Sequence, residues 1–397
     1  MLVVFQTNLL AIIMKRKIAI VTGSRAEYGV LKPLIRCIIE SSDLELSLMV
    51  TGLHLLKEYG LTIELIKRDR FSIESIIEMY DEVEDTRIYY GSSLARAVKG
   101  FTLELSRISP DILVVIGDRL EPLAAVLPAA LLKIPIAHIH GGDRTDSGLI
   151  DESIRHSISR FASIHFVAIN QHKERLLKMG EEAWRIHLVG SMALDTIVHK
   201  KPVSLTEISE RIGFELDNQS ILMVFHPVFP HEDSGAQMRE IVQALKTLKL
   251  KTVILYPNND LGNEEIIAEI EKLVGLPFIK IIKSLPHDDY IDLMKHVAVM
   301  IGNSSSGIIE AASIKLPVIN IGSRQKSRGL SENIINVKAK SKDIVDGIKF
   351  ALYDDKFQQR LKTVTNPFGD GNSSQKIVDV LRTIEIDDKL LRKLITY

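Results

Sequence analysis

Short apolar, β-branched stretches alternate with helix-like stretches along almost the whole chain. The apolar stretches are continuous instead of alternating with polar residues, which is typical of parallel strands covered by helices on both faces. Segments between them, such as 121–133 and 264–274, carry apolar residues at helical spacing. The pattern predicts strands at 17–23, 44–51, 112–118, 135–140, 164–168, 186–189, 220–226, 251–256, 278–283, 297–301 and 317–321.

The alternation stops at 199–219, where Pro, Ser and charged residues replace the apolar runs. The chain has 397 residues, enough for two domains of ordinary size. We therefore predict an α/β protein with two doubly wound, Rossmann-like domains at 15–203 and 204–373, followed by a C-terminal segment at 374–397. In such a fold the ligand binds in the cleft at the carboxyl ends of the strands.

Composition narrows the classes of function. The chain carries 50 Lys and Arg against 51 Asp and Glu, so it lacks the long-range positive field that attracts nucleic acid or anionic membranes. Its single cysteine, Cys37, excludes an intramolecular disulfide and a cysteine-rich zinc site. We expect a cytoplasmic protein with neither nucleic acid nor a membrane as its partner.

The first fourteen residues are apolar and precede "KRK". They are fewer than the roughly 20 apolar residues of a spanning helix, and they lack the charged start and cleavage site of a signal peptide. We interpret residues 1–14 as an extension, with Met14 as a candidate start. A weak membrane-associating segment and a buried extra strand or helix are the alternatives.

The turn "GNSSSG" follows a predicted strand and opens a predicted helix. Small residues at a helix N-terminus let an anion approach free N–H groups, and Ser304 and Ser305 add hydroxyl donors beside Gly307. The loop after the next strand, "NIGSRQKSRG", brings Arg324 to the same edge as a counter-charge for a diphosphate. Serine as an ordinary N-cap and a solvated basic loop are the alternatives.

Two turns of the first half are further candidates for a functional site, one for binding phosphate and one for catalysis. "TGSRAEYG" combines small residues with Arg25, whose guanidinium can bind phosphate oxygens in bidentate fashion, but it lacks the spacing of a dinucleotide fingerprint or a P-loop. "IGDRLEP" ends an apolar strand with Asp118 and Arg119. A carboxylate in a partly desolvated cleft suits a general base. A structural turn and a helix-capping role for Asp118 stay open.

The segment "HIHGGDRTDSGLIDESIRHSISR" is the densest cluster of titratable residues. It contains His138, His140, Asp143, Asp151 and Arg155 around a Gly-Gly turn. Asp151 and Arg155 are four apart and share a helix face. A metal site is disfavoured, because alternate strand residues lie about 6.6 Å apart and no second ligand cluster is evident. A surface salt-bridge cluster is the alternative.

In the second half, "FHPVFP" and "YPNNDLG" place His226 and Asn258 at strand ends. Each signal is weak alone. His226 could be a satisfied buried histidine, and the second motif could be a plain turn.

Together, the segments "VTGSRAEYG", "IGDRLEP", "PIAHIHGGD", "DESIRHSISR", "FHPV", "IGNSSSGIIE" and "INIGSRQKSRG" resemble the hydrolysing UDP-N-acetylglucosamine 2-epimerases. These bacterial enzymes make N-acetylmannosamine for sialic acid. The segments occur in the family's order. The resemblance implies the GT-B architecture, with two Rossmann-like domains, UDP in the cleft between them, and a C-terminal helix at 374–395 that crosses back to the first domain.

The resemblance also assigns roles to residues. Glu310 would hold ribose hydroxyls, and Asp118 and Asp151 match acidic positions linked to catalysis, with Arg119 and Arg155 beside them. Some relatives carry Glu where this chain has His140 and Asp143, so the choice of acid and base stays open. The UDP-binding positions would be Arg25, His226, Asn258, Ser304, Ser305, Glu310 and Arg324.

The implied reaction needs no cofactor and no metal. UDP leaves C1, the C2 proton is lost to give a 2-acetamidoglycal, and water adds with inverted configuration at C2, which releases N-acetylmannosamine from UDP-GlcNAc. The same reaction on UDP-2,4-diacetamido-2,4,6-trideoxyglucose is the first alternative. Non-hydrolysing epimerisation is disfavoured, and a GT-B glycosyltransferase or a UDP-sugar sensor stays open. The family's members are commonly homodimers or homotetramers.

Overall fold

The computed structural model describes residues 15–80, 86–144, 150–228, 233–257, 262–325 and 331–397. The strands are β1 Arg16–Thr22, β2 Leu44–Thr51, β3 Ile73–Ile77, β4 Ile112–Ile116, β5 Ile136–Ile139, β6 Ile164–Val167, β7 Ile186–Leu188, β8 Ile221–Val224, β9 Thr252–Leu255, β10 Ile279–Ile282, β11 Val299–Gly302, β12 Val318–Ile321 and β13 Ile334–Val337. The helices are α1 Arg25–Glu40, α2 Ile63–Arg68, α3 Thr86–Ile108, α4 Leu120–Leu131, α5 Ile150–Phe161, α6 Asn170–Lys178, α7 Ala193–His199, α8 Leu205–Ile212, α9 Ser234–Leu248, α10 Asn263–Glu271, α11 His287–His296, α12 Ser305–Ile309, α13 Ser341–Tyr353, α14 Asp355–Thr363, α15 Ser373–Thr383 and α16 Asp388–Leu391.

The strands form two parallel sheets. In the described part of the chain the first sheet has seven strands, in the order β3-β2-β1-β4-β5-β6-β7, and the second has six, in the order β10-β9-β8-β11-β12-β13. Both follow the Rossmann order, in which the chain reverses direction across the sheet at a switch point. The switch points lie between β1 and β4 and between β8 and β11, so ligand-binding loops are expected there.

Helices cover both faces of each sheet. On the first sheet, α1 and α15 pack on one face and α3, α4 and α5 on the other. On the second sheet, α9, α13 and α14 cover one face while α8, α11 and α12 cover the other. The central strands are buried on both sides, which explains their continuous apolar sequences. The predicted α/β fold class is confirmed; the domain boundaries at 15–203 and 204–373 stay a prediction.

Every strand predicted from the apolar pattern is present, with ends that differ by a residue or two. The pattern missed the edge strands β3 and β13. In β3, exposed and buried residues alternate, and the residues of β13 are half-buried or exposed. An edge strand has a neighbour on one side only, so it needs no continuous apolar run.

The C-terminal helix predicted at 374–395 is wrong as a single helix. Helix α15 ends at Thr383, and α16 begins after Asp387, whose side chain accepts a hydrogen bond from the Leu390 N–H at 2.8 Å. The crossing back to the first sheet is present, because the Arg382 guanidinium donates to the Asp43 carboxylate at 2.6 Å. Over the residues described, no helix is both long and apolar enough to cross a membrane.

Candidate active site at the strand ends

The turn after β4 presents Asp118 at the first switch point. Gly117 adopts the left-handed region with φ 81°, and Arg119 occupies the N-cap position of α4 without a side-chain capping bond. Asp118 therefore does not cap this helix, so the capping alternative is wrong. Its carboxylate instead pairs with the guanidinium of Arg155 from α5.

Arg155 is the centre of a charged cluster, although only 6% of its surface is exposed. Besides Asp118, its guanidinium lies 3.6 Å from an Asp143 carboxylate oxygen and 4.0 Å from one of Glu152. The other oxygen of Asp143 lies 3.2 Å from Nε2 of His172. The structure thus brings the candidates Asp118, Asp143 and Arg155 together and adds His172, which the sequence did not single out.

The environment of Asp118 suits a proton acceptor. Burial raises the pKa of its carboxyl group, the positive charge of Arg155 opposes this rise, and the negative charges of Asp151 and Asp143 add to it. Asp151 lies in the first turn of α5 and acts on Asp118 through this charge. A carboxylate with a raised pKa is a stronger base than one in water.

The two histidines of the "HIHGGD" turn differ in structure. His138 is fully buried in β5, and its ring contacts the Ser159 hydroxyl at 3.0 Å and the Gly117 carbonyl at 2.8 Å. Burial lowers the pKa of His138 to about 3, so the ring is neutral and donates to Gly117 from Nε2. His138 supports the Asp118 turn. His140 lies one residue beyond the end of β5, with φ 66°. His138 and His140 were expected to be alternate residues of one strand, and this expectation is wrong.

A buried carboxylate next to this cluster was missed by the sequence analysis. Glu121 is fully buried and accepts hydrogen bonds from the Tyr80 hydroxyl at 3.1 Å and from Nε of Arg119 at 3.3 Å. A Cβ atom added to Gly23 would lie 2.6 Å from Cγ of Glu121, and one added to Gly52 would lie 2.7 Å from it. Glu121 therefore connects the carboxyl ends of β1, β2 and β4 with the segment after β3. The motif "DRLEP" contained it, but nothing in the sequence marked it as buried.

Glu27 lies beside Glu121 and was also missed. One of its carboxylate oxygens accepts from the Gly23 N–H at 2.9 Å, and the other is buried without a hydrogen-bond partner among the described residues. Burial, together with the negative charge of Glu121, raises the pKa of Glu27 to about 7. Ser24 caps α1, so the turn around Arg25 is held by both Ser24 and Glu27.

The "GNSSSG" turn opens a shorter helix than expected. Helix α12 has five residues and continues as a single 3-10 turn, so its dipole is weaker than that of the helix predicted from the sequence. Ser304 is its N-cap, and Ser305 is its first residue. Gly307 lets α12 pack closely against β12, because a Cβ atom at this position would lie 2.9 Å from a Val318 methyl carbon.

Glu310 lies at the end of α12 and is 7% exposed. Burial raises the pKa of its carboxyl group to about 7, and in the part of the chain that the structure describes, one of its oxygens has no hydrogen-bond partner. A buried carboxyl group with an unused acceptor is suited to receiving hydroxyl donors from a ligand.

The other UDP-binding candidates lie around the second switch point. His226 follows β8, and the guanidinium of Arg324, after β12, donates to the Asn303 carbonyl at 3.2 Å. Asn258 lies outside the described residues. Arg25 begins α1 after β1. Burial lowers the pKa of His287 at the start of α11, and the positive charges of Lys200 and Arg25 add to this shift against the opposing charge of Asp288. Arg25, after β1 of the first sheet, is therefore near enough to His287, after β10 of the second, for their charges to interact.

The chain is similar to known proteins over most of its length. The family model for UDP-N-acetylglucosamine 2-epimerase matches residues 37–382. A UDP-N,N'-diacetylbacillosamine 2-epimerase (hydrolyzing) of Legionella pneumophila is 39% identical over 97% of this chain and 100% of that protein. A UDP-N-acetylglucosamine 2-epimerase of Neisseria meningitidis serogroup B is 37% identical over 86% of this chain and 89% of that protein.

Solved structures share the fold. A UDP-GlcNAc 2-epimerase from Neisseria meningitidis, bound to UDP-GlcNAc, superposes with a TM-score of 0.75 over 92% of this chain and 99% of that one, at 19% identity. The family model covers most of the chain, and the Legionella relative matches it from end to end. The chain therefore belongs to the UDP-N-acetylglucosamine 2-epimerase family.

Proposed function

We propose that this chain is a hydrolysing 2-epimerase, which converts a UDP-linked 2-acetamido sugar and water to UDP and the free 2-epimer. The observation that carries the proposal is the position of Asp118. This carboxylate has a raised pKa, is held by the buried Arg155, and follows β4 at the same edge of the first sheet as the UDP candidate Arg25, which follows β1. A sensor would bind UDP equally well but has no need of a base placed there. A transferase would use such a base to deprotonate an acceptor hydroxyl, so the test below contains no acceptor.

The second half binds the leaving group in this proposal. Arg324 supplies positive charge to the diphosphate, Ser304 and Ser305 supply hydroxyl and N–H donors, and Glu310 accepts hydrogen bonds from the ribose. Donors fixed before the reaction stabilise the negative charge that develops as the bond from C1 to UDP breaks. Arg25 reaches the same space from the first sheet.

The first half carries out the proton transfers. Asp118 removes the C2 proton while UDP leaves C1, and the electron pair of the broken C–H bond forms the C1–C2 double bond of the glycal. Water then adds its oxygen to C1, and a proton returns to C2 from the opposite face of the ring. In this proposal, Asp143, which contacts His172, and the candidates Asp151 and His140 activate the water and return that proton.

Two sugars are candidates for the substrate. The relative that matches this chain from end to end is a hydrolysing epimerase of UDP-N,N'-diacetylbacillosamine, so that UDP-sugar is the first to test. The sequence motifs had favoured UDP-GlcNAc, with the UDP-linked diacetamido sugar as the alternative, so the order of the two candidates is now reversed. UDP-GlcNAc is the second candidate, because the Neisseria relative is named for it at similar identity. The two sugars differ at C4 and C6, away from the reacting carbons.

The test incubates the purified protein with each UDP-sugar in D₂O, without an acceptor, and follows the products by NMR. We expect UDP and the free 2-epimer with deuterium at C2, from one sugar in clear preference to the other. UDP release with the original C2 configuration and no deuterium would indicate a simple hydrolase. A UDP-linked epimer would indicate the non-hydrolysing reaction, and two unchanged sugars would contradict the proposal.

A further inference from the structure

One buried residue joins the three loops at the second switch point. Asn303 directly follows β11 and is 1% exposed. In the sheet, β11 lies between β8 and β12, and the loops after these strands carry His226 and Arg324. The Asn303 N–H donates to the Val224 carbonyl at 3.1 Å, which extends the pairing of β11 with β8 by one residue.

The side-chain amide of Asn303 forms hydrogen bonds with both backbone polar groups of His226. Its Oδ1 accepts from the His226 N–H at 2.7 Å, and its Nδ2 donates to the His226 carbonyl at 2.8 Å. Asparagine is suited to this contact, because it holds a donor and an acceptor in one plane on a short side chain. Aspartate would lose the donor, and serine would not span both groups.

The backbone carbonyl of Asn303 binds the third loop. It accepts from the Arg324 guanidinium at 3.2 Å and from Nε2 of Gln325 at 2.8 Å. The N–H, the carbonyl and both side-chain polar atoms of this residue are therefore used, and they connect the segments after β8, β11 and β12. The position of His226 relative to Arg324 is set through Asn303.

We propose that Asn303 is a positioning residue for UDP binding, which holds His226 and Arg324 at the spacing that the diphosphate requires. The inference rests on the proposed function, since it takes these two side chains as UDP ligands. Asn303 itself is almost fully buried and acts through them. The preceding Gly302 fits the same role: a Cβ atom there would lie 1.9 Å from the Val224 carbonyl oxygen, so glycine allows the close approach that the Asn303 contacts need.

A purely structural role is the competing explanation. Buried backbone groups need hydrogen-bond partners, and Asn303 supplies them for His226. Removing it would then lower stability without a specific effect on the diphosphate. The chain offers a matched control in Asn320, which lies in β12, is 3% exposed, and donates from Nδ2 to Oδ1 of Asn336 at 2.8 Å. The Asn320 side chain contacts the edge strand β13, which lies on the opposite side of β12 from β11 and β8.

The first measurement is hydrogen exchange of the free protein, which needs no ligand. In Asn303→Ala, we expect the amide of His226 to exchange roughly tenfold faster or more, because its acceptor is lost. In Asn320→Ala this amide should exchange as in the wild type. Unchanged exchange at His226 in Asn303→Ala would overturn the positioning role, whatever the protein binds.

The second measurement compares UDP with uridine by calorimetry. Asn303→Ala should weaken UDP binding roughly tenfold or more and uridine binding less than about threefold, because the displaced groups contact the diphosphate. Asn320→Ala should lower the melting temperature by a similar amount to Asn303→Ala but leave the affinities for UDP and uridine unchanged. Equal losses for UDP and uridine, or no loss, would overturn the proposal. If Asn303→Ala does not fold, Asn303→Ser and Asn320→Ser give the same comparison, because serine is uncharged and too short to span both backbone groups of His226.

The two measurements separate this inference from the proposed function. If the wild-type protein binds neither UDP nor uridine, the UDP half-site is wrong, and this inference is overturned with it even where exchange at His226 responds. If the wild type binds UDP but Asn303→Ala binds it equally well, the half-site stands and only the role of Asn303 fails.

Discussion

At the scale of single residues, the immediate surroundings of a carboxyl group decide what it can do. Asp111 and Asp118 flank the same strand, β4. Asp111, at the amino end, is exposed and accepts from the Lys17 N–H at 2.7 Å. Asp118, at the carboxyl end, is largely buried against Arg155 and has a raised pKa. The same side chain is a strand-end support in one place and a candidate base in the other.

Asp118→Asn should therefore abolish the reaction while UDP binding persists. We expect kcat to fall by about 10²–10⁴-fold, the usual contribution of a general base, and the UDP affinity to stay within about twofold. The matched control Asp111→Asn should keep wild-type turnover, because the amide oxygen can still accept from Lys17. Steady-state kinetics and calorimetry measure both. A turnover of Asp118→Asn near that of the wild type would remove Asp118 from the mechanism.

Glu310 gives a prediction about pH. Burial raises its pKa from 4.5 to about 7, so between these values the folded protein holds a proton that the unfolded chain has released. The free energy of unfolding should therefore fall as the pH rises from 4.5 to 7, by up to about 3 kcal/mol. Glu310→Gln cannot ionise and should be more stable than the wild type at pH 8 and similar at pH 4.5.

Denaturant unfolding of both proteins at pH 4.5 and pH 8 measures this difference. Glu332→Gln is the control, since Glu332 is exposed in the same half of the chain. Its stability should follow that of the wild type at both pH values. A Glu310→Gln variant that is no more stable than the wild type at pH 8 would show that Glu310 ionises freely in the folded protein.

At the scale of elements, the turns after the strands are fixed by contacts between loops. Gly23 follows β1 at the point where the Glu121 side chain passes. For Gly29, six residues later, no atom of the described residues outside its own helix turn lies within 4 Å of an added Cβ. Two identical substitutions in one motif should thus have opposite effects. The pair tests whether Glu121 really fixes the geometry of these turns.

We expect Gly23→Ala to destabilise the protein by about 1–3 kcal/mol, because Glu121 is fully buried and cannot move aside. Its kcat/KM should fall as well, since Arg119 is bonded to Glu121. Gly29→Ala lies inside α1 and should be neutral or up to about 1 kcal/mol more stable. Melting curves and kinetics of the two variants are compared directly. Equal stability of both would contradict the crowding at Gly23.

The elements that the sequence could predict are those whose burial shows in a local run of residues. The central strands were predictable, because strands buried on two faces must be continuously apolar. The turns "SRAEYG", "DRLEP" and "NSSSG" were predictable as loops at strand ends, because each follows such a strand; that they form the site stays a prediction. The edge strands β3 and β13, half-buried or alternating, left no such signal. The break between α15 and α16 depends on the cap at Asp387, which helical periodicity does not show.

The supporting residues of the site were not predictable for a different reason. Glu121 and Asn303 were visible in the motifs, but their importance comes from partners 41 and 77 residues away in the chain. His172 likewise meets Asp143 only through folding. Local sequence patterns report on burial and turns, whereas these contacts depend on which strand ends become neighbours.

At the scale of the whole molecule, the chain's last residues return to the helix that carries Arg155. Helix α15 crosses from the second sheet to pack on α1, and the segment after it reaches the end of α5. There the Lys393 ammonium group donates to the carbonyls of Ser159, Arg160 and Ala162 at 2.7, 3.0 and 2.7 Å. A cation at this position satisfies the free carbonyls of a helix C-terminus and complements its dipole.

Lys393 is also paired with a buried carboxylate. Its ammonium group lies 2.7 Å from Glu181, which itself contacts His165 at 3.0 Å. The side chains of Glu181 and His165 are fully buried, and 11% of the Lys393 side chain is exposed. Removing the ammonium group would leave Glu181 with less positive charge around it, which is costly in a buried site.

Lys393→Met should therefore affect both stability and catalysis. We expect a loss of about 3 kcal/mol in the free energy of unfolding and a lower kcat, because α5 positions Arg155 beside Asp118. UDP affinity should stay within about twofold, since the UDP candidates Ser304 and Arg324 belong to the second sheet. The neighbouring Arg392 is exposed, and its side chain contacts Asp388 at 3.2 Å, so Arg392→Met should resemble the wild type in all three measurements. Destabilisation of Lys393→Met with an unchanged kcat below its melting temperature would show that the C-terminal segment supports the fold but not the catalytic helix.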